Sequence, residues 1–395
     1  MCFEFINIRM KEEKRSKLQT LLLALLLNLN SIPAAIGRNG TFIVVLFVCY
    51  IIALISNSFK VNKGYLLVII INVICAFSLF LSPNGYNAHA ERYLLYGMSL
   101  GLFVFIIKLY FDTHLIFRYV VAIGVLLAPL HLLRAISLSS LLAMSDVDTG
   151  VMMGLSYAIM PPFLCALLMI FRKETFFWKT LSVILLFSGF IIYMIVGSRG
   201  CFVVIIGTIL LYFVNKKFKS YKKRVFVVST LGLIGSIMMN NFIIIIEWLS
   251  NALGRIGIEV YAIQKILYYY SQDKMDNGRN ELYGIAWKGI SESPLGHYIG
   301  SFELANDAYV HNLILQMAWD YGIIGFVFIC FIYYKSLNYF MRLNSNENNQ
   351  DICFIVFSSS LITLLFSSTY WLLPCFWLWV KYILNCKRNA SNTFF

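Results

Sequence analysis

The sequence predicts an all-α integral membrane protein of about twelve transmembrane helices, with one large loop facing away from the cytoplasm. Three observations predict it. Of 395 residues, 60% are hydrophobic and 13% charged, with a mean hydropathy of +0.76; a soluble domain carries about 25% charge. Apolar runs of about 17–22 residues recur from end to end, the length that crosses roughly 30 Å of hydrocarbon. These runs are continuous rather than alternating, which selects helices over barrel strands as the way to satisfy the backbone in lipid.

Spans are expected at 18–36, 41–58, 64–82, 93–111, 114–133, 152–171, 179–196, 201–214, 225–246, 312–335, 352–368 and 370–385. The first reads as a span and not as a removable signal, because a charged segment precedes it and no clear small-residue cleavage site follows. Internal repeats and low-complexity tracts are lacking, so residues 1–395 read as a single membrane domain. The nine cysteines fall mostly inside apolar runs and show neither metal-site spacing nor a disulfide framework.

A net charge of +13 suggests nucleic acid until its distribution is drawn. With the N-terminus inside, the inner segments hold 23 of the 32 basic residues against seven acidic ones, a net +16. The outer segments hold nine basic and eleven acidic residues, a net −2, and Asp320 lies within a span. The excess is the positive-inside bias, not a nucleic-acid footprint. The basic run Lys216–Arg224 is its strongest anchor and reads as a topology signal touching anionic headgroups.

Two outer features bear on function. One long loop, 247–310, separates the ninth and tenth spans. Leu253, Ile256, Val260, Ile263 and Leu267 recur in it at helical spacing, and a second helical segment runs from about Arg279 to Ile290. Such helices lie on a membrane surface or cap a cavity. The short outer connections carry only arginine as their basic residue: Arg38, Arg92, Arg134 and Arg199. Inside, lysine dominates. Arginine offers a planar fork of donors suited to phosphate oxygens, so these four are candidate anion-binding residues.

Three positions carry candidate chemistry. Arg199 lies in Gly197-Ser198-Arg199-Gly200 at the head of the eighth span. A glycine turn, an arginine and free N–H groups at a helix start make an anion site; a snorkelling arginine is the plainer alternative. Arg279 opens a helix after Asp276-Asn277-Gly278, where the helix dipole disfavours a cation unless an anion is shared. His311 opens the tenth span, either as an interfacial residue or as a general base whose pKa lies near working pH. Asp320, nine residues on, is expected to be buried against a polar partner.

The order Ser198-Arg199-Gly200, then Gly278-Arg279 with its helix and Ser293-Pro294-Leu295-Gly296, then His311-Asn312 followed by Gly322-Ile323-Ile324-Gly325, resembles the O-antigen polymerase and O-antigen ligase superfamily. The motif resemblance covers about 190–330; the remainder matches in span count and topology. It implies a membrane-embedded, GT-C-like glycosyltransferase with no cofactor and no metal, using an oligosaccharide on undecaprenyl diphosphate as donor. Arg199 and Arg279 would bind the diphosphate, with Ser198, Arg38, Arg92 and Arg134 as further substrate-binding residues. His311 would deprotonate or orient the acceptor hydroxyl. The resemblance also implies a bacterial inner (plasma) membrane setting with both termini cytoplasmic, and a chain-length regulator as partner. A polymerase extends O-antigen or capsular polysaccharide on the periplasmic face in polysaccharide or lipopolysaccharide biosynthesis. A ligase hands the glycan to lipid A–core. The different class, a transporter or a lipid-linked glycan flippase, should show repeat symmetry and interrupted helices, and neither is seen.

Overall fold

The computed structural model describes residues 2–37, 40–56, 58–59, 70, 73, 93–142, 149–196, 198–240, 242–255, 261–271, 279–306, 308–342, 350–366 and 369–385. Among them the chain is helical, with one isolated bridge between Phe59 and Ile107. The span expected at 64–82 lies outside the described residues, positions 70 and 73 apart.

The N-terminal half comprises α1 (Cys2–Leu27), α2 (Ser31–Ile36), α3 (Gly40–Ile55), a π-helical turn (Tyr93–Met98) leading into α4 (Ser99–Ile106), α5 (Thr113–Leu142), α6 (Thr149–Ala158), α7 (Met160–Ile170) and α8 (Phe176–Val196). There follow α9 (Arg199–Lys217), α10 (Tyr221–Asn240), α11 (Phe242–Gly254), α12 (Tyr261–Ser271), α13 (Arg279–Glu292), α14 (Ser301–Asn306), α15 (Leu313–Arg342), α16 (Gln350–Phe357), which runs on as π-helix through Ile362, and α17 (Pro374–Asn385).

Among the described residues four helices are long and apolar enough to cross a membrane: Thr113–Ser139, Phe176–Val196, Gly200–Lys217 and Leu313–Arg342. Their outer faces expose large apolar side chains that only lipid or a partner would cover, such as Leu126 and Leu133 on α5, Phe187 on α8, and Ile324 and Val327 on α15. Several expected spans are broken. Residues 18–36 form α1 and α2, interrupted where the Asn28 amide turns back to donate to the Ala24 carbonyl. Residues 152–171 divide at Ile159, just ahead of Pro161 and Pro162, which lack the N–H that would continue the ladder. The eighth span is longer than expected, 19 residues from Arg199 to Lys217. In the 247–310 segment, Leu253 lies near the end of α11 at Gly254, Ile263 and Leu267 belong to α12, and the two helices share a small apolar cluster; Ile256 and Val260 lie outside the described residues.

The centre is filled by the C-terminal helix. From Pro374 to Lys381 every residue of α17 is buried. The rings of Trp371 and Trp377 press against Gly97 and Gly101, where a Cβ would meet them at 3.0–3.2 Å. The Lys381 ammonium donates to the carbonyls of Val104 and Ile107 at the end of α4. The Asn30 side chain donates to the Leu372 carbonyl, tying the first helices to the last.

The basic run 216–224 needs one correction. Arg224 is 1% exposed. It donates to the carbonyls of Asn215 and Phe218 beside the end of α9, and of Phe340 and Met341 at the end of α15. It clamps two helix C-termini, whose last carbonyls have no partner within their own helix. The neighbouring Lys222 and Lys223 are exposed, as a topology signal should be.

Candidate functional site

The helix α13 packs on the first turns of α15. Ala286, Phe302, Val310, Leu315 and Trp319 form a small core between them. Gly289 gives Trp319 its room: a Cβ there would sit 2.1 Å from the indole. Trp319 also stacks on His297, with ring centroids 4.2 Å apart, and its Nε1 donates to Ser301 Oγ at 2.7 Å. This core fixes the near end of α13, and Arg279, ten residues earlier, heads the same rigid helix about 15 Å away.

The helix α15 is kinked at Gly322 (φ 63°, ψ −150°), a conformation essentially closed to other residues. The kink lets the 293–298 loop pair with the helix. Ile323 N–H donates to the Pro294 carbonyl (2.9 Å), His297 N–H to that of Trp319 (2.7 Å) and Tyr298 N–H to that of Asp320 (3.2 Å). The two glycine-containing segments Ser293–Gly296 and Gly322–Gly325 are therefore one contact: a Cβ on Gly322 would lie 2.1 Å from the Pro294 carbonyl oxygen.

Between α14 and α15 lies the turn that carries Tyr309 and His311. Asn312 caps α15, its Oδ1 accepting from the N–H groups of Ile314 and Leu315 at 3.0 and 3.2 Å. His311, the residue before the cap, has φ 57°, the left-handed region that a non-glycine residue occupies at a cost of about 1–3 kcal/mol. Its ring lies 4.0 Å, centroid to centroid, from that of Tyr309. Nδ1 is buried without a hydrogen-bond partner among the described residues. Burial, and then the charge of nearby Arg279, lower its pKa from 6.5 to about 4. A histidine expected near working pH is instead held neutral, by burial first and by the neighbouring guanidinium second.

Gly197 lies outside the described residues, and the Ser198–Gly200 segment at the head of α9 joins the same cluster through Tyr157 on α6. Ser198 precedes α9 in extended conformation, makes no capping hydrogen bond, and spends its hydroxyl on Cys201 Sγ at 3.2 Å. The Tyr157 hydroxyl faces Gly200 so closely that a Cβ there would come within 2.0 Å. It is hydrogen-bonded with Ser198 and lies within electrostatic reach of Arg279 and Tyr309. Arg199 is the first residue of α9. The head of α9 thus lies against Tyr157, which is within electrostatic reach of Arg279 and Tyr309, and Tyr309 packs on His311. A helix start without a side-chain cap, a guanidinium and a neutral imidazole together suit an anion with a hydroxyl beside it.

Of the other sequence candidates, Arg134 belongs to a second cluster: its guanidinium seats on left-handed Gly37, one turn of α5 from His131, which bonds the Ser31 carbonyl at 2.8 Å. Arg38, next to Gly37, and Arg92 lie outside the described residues. Asp320 is buried as expected, accepting from the Tyr370 hydroxyl at 3.0 Å. Sequence reasoning missed Tyr157, Tyr309 and Glu303. Tyr157 sits in an apolar helix with no motif around it, and only its position opposite Gly200 marks it. Among the described residues no three His, Cys, Asp or Glu side chains group as metal ligands. No protein-family model, no curated protein and no solved structure matches the chain.

Proposed function

We propose that this chain is a membrane-embedded glycosyltransferase that takes a glycan from a lipid diphosphate and passes it to the hydroxyl of another lipid-linked repeat unit, a polysaccharide polymerase of the bacterial plasma membrane. The observation that carries the reading is the head of α9 lying against Tyr157, with Arg279 within electrostatic reach of both that tyrosine and His311. These residues come from separate parts of the sequence, and all fall on the outer side in a topology drawn from charge alone. The remaining architecture belongs to the same reading: about twelve spans, a large external loop over 247–310, and cytoplasmic termini.

In this reading Arg279 and the N–H groups at the start of α9, with Arg199 at its first position, hold the diphosphate and stabilise the charge that builds on it as the glycosidic C–O bond breaks. The same anion offsets the charge of Arg279, so donor binding raises the proton affinity of His311 when it is needed. His311 then takes the proton of the acceptor hydroxyl as its oxygen attacks the anomeric carbon. A diphosphate leaves readily, so the scheme has no step for a metal. The test is the glycan ladder made by the reconstituted chain from lipid-linked repeat units, with chelator present. His311→Ala should cut the rate by about 10²–10⁴-fold, the usual worth of a general base, and leave donor binding intact. Transfer only to lipid A–core would make the protein a ligase; full activity of His311→Ala would remove the base.

A further inference from the structure

The helix α15 is covered by protein over its first turns and bare beyond them. After the kink, Ile323, Ile324, Val327, Phe331, Tyr334 and Leu337 recur at three- or four-residue spacing and are 44–73% exposed. They form one apolar stripe down a single helix face. Ile323 and Leu337 are fourteen residues apart, so the stripe is about 21 Å long, roughly 9 Å shorter than the hydrocarbon it has to cross. Beyond Leu337 the same face carries Asn338 and Arg342, polar residues that end it. The missing length therefore lies at the Gly322 end. There α15 has no bare surface to offer, since every residue from Leu315 to Asp320 is buried. Gln316 Nε2 donates to Glu303 Oε1 on α14 at 2.8 Å, and the indole of Trp319 fills the space at Gly289 of α13. Whatever lies over Gly322 must supply the rest of the lipid-facing surface.

That element is the Ser293–Gly296 turn. The Gly296 N–H donates to the Ser293 carbonyl and the Ser293 hydroxyl to the Gly296 carbonyl, each at 3.0 Å, which closes the turn with Pro294 and Leu295 at its tip. A Cβ on Gly322 would lie 2.7 Å from Leu295 Cα, so the tip stands beside the first residues of the stripe. Leu295 is 83% exposed, more than any residue of the stripe. The tip also suits a solvent without hydrogen-bonding groups. Pro294 has no N–H, its carbonyl is taken by the Ile323 N–H, and neither side chain is polar. Charge returns three residues earlier, at the exposed Glu292. We propose that the Pro294–Leu295 turn inserts into the leaflet at the Leu313 end of α15, where Leu295 continues the lipid-facing stripe of that helix. Acyl chains are the occupant of this surface. One turn of the 247–310 segment is thus a membrane anchor, and it pins to the bilayer the end of α13 opposite Arg279. The inference requires that α15 crosses a membrane and does not rest on the glycosyltransferase reading.

The experiment places an environment-sensitive fluorescent amino acid at position 295 by stop-codon suppression, in the full chain in phosphatidylcholine nanodiscs. The same probe at 324, on the stripe, and at 292, at the exposed end of α13, gives the hydrocarbon and water references. Two quenchers are compared: lipids brominated on the acyl chain near the headgroup, and iodide in the water. At 295 the emission should be blue-shifted towards that at 324, quenched by the brominated chains and shielded from iodide; at 292 the order of the quenchers should reverse. The unmodified chain supplies a second measurement that no probe can disturb. Hydroxyl-radical oxidation of Leu295, corrected for intrinsic reactivity, should be as low in nanodiscs as that of Ile324. Iodide quenching at 295 equal to that at 292, or strong oxidation of Leu295, would overturn the proposal. Protection of 295 from both quenchers would overturn it as well, because a protein surface rather than lipid would then cover the turn.

Discussion

Replacing Gly322 by alanine should destabilise the protein more than any other single methyl added to a described glycine of α13 or α15. The magnitude follows from two observations. At φ 63° and ψ −150° an L-residue is strained by about 1–3 kcal/mol. In addition, the new Cβ would lie 2.1 Å from the Pro294 carbonyl oxygen and 2.5 Å from the Leu295 carbonyl carbon, both backbone atoms that cannot swing aside. The chain must release the 293–298 loop or straighten the helix, and either way weakens three interlocking hydrogen bonds worth roughly 0.5–1.5 kcal/mol each. Partial relaxation leaves an expected loss of about 2–5 kcal/mol. The assay is thermal unfolding in detergent against Gly284→Ala as control. Gly284 has open space where its Cβ would go, so alanine there should be neutral or gain up to about 1 kcal/mol. If Gly322→Ala melts at or above wild type, the kink is not what holds the loop to α15.

Further expectations concern charge. Arg279→Gln removes one of the two causes that hold His311 down, so the ring should titrate above its wild-type value of about 4 yet below 6.5, because burial persists; an unchanged midpoint by NMR would dissociate the two residues. Acidification should cost wild-type stability from about pH 6.5 downward, since the unfolded histidine gains a proton that the folded one refuses until near pH 4. Arg224→Met should cost about 2–4 kcal/mol by stranding four carbonyls, whereas Lys222→Met, at an exposed site, should stay within about 0.5 kcal/mol in the same unfolding assay. Reporter fusions after Arg224 should read cytoplasmic and fusions within 255–305 external; a cytoplasmic 255–305 segment would remove the proposed site from its substrate.

What the sequence made legible follows from where information is local. Hydropathy and length announce α5, α8, α9 and α15, because burying a helix in hydrocarbon constrains every residue along it. The helix starts at Arg279 and Arg199 were readable for the same reason: a helix start is a local event. The breaks were less so. Gly322 lies inside a largely apolar span, and nothing in its neighbours shows that a distant proline carbonyl will occupy the space a side chain would fill. Arg224 reads like its neighbouring lysines until tertiary structure brings two helix ends to it. Glu303 and Gln316 are thirteen apart in a polar segment, and only the packing of α14 on α15 makes them partners. His311 was visible as a residue type and position. Its left-handed backbone and depressed proton affinity belong to the folded turn.

The central place of α17 has a consequence for how the molecule is made. The residues that plug the middle of the assembly follow every other described helix in the chain, so the earlier helices must enter the membrane around a vacancy. The carbonyls of Val104 and Ile107 wait for an ammonium group that appears some 270 residues later. Until then a helix end sits in an apolar environment without its donor, which is a reason for lipid headgroups, water or an insertion factor to stand in. A nascent chain stalled before Pro374 should therefore be inserted but loosely assembled and open to proteases, and the step to a resistant bundle should come abruptly with the final dozen residues of α17 rather than gradually along the chain.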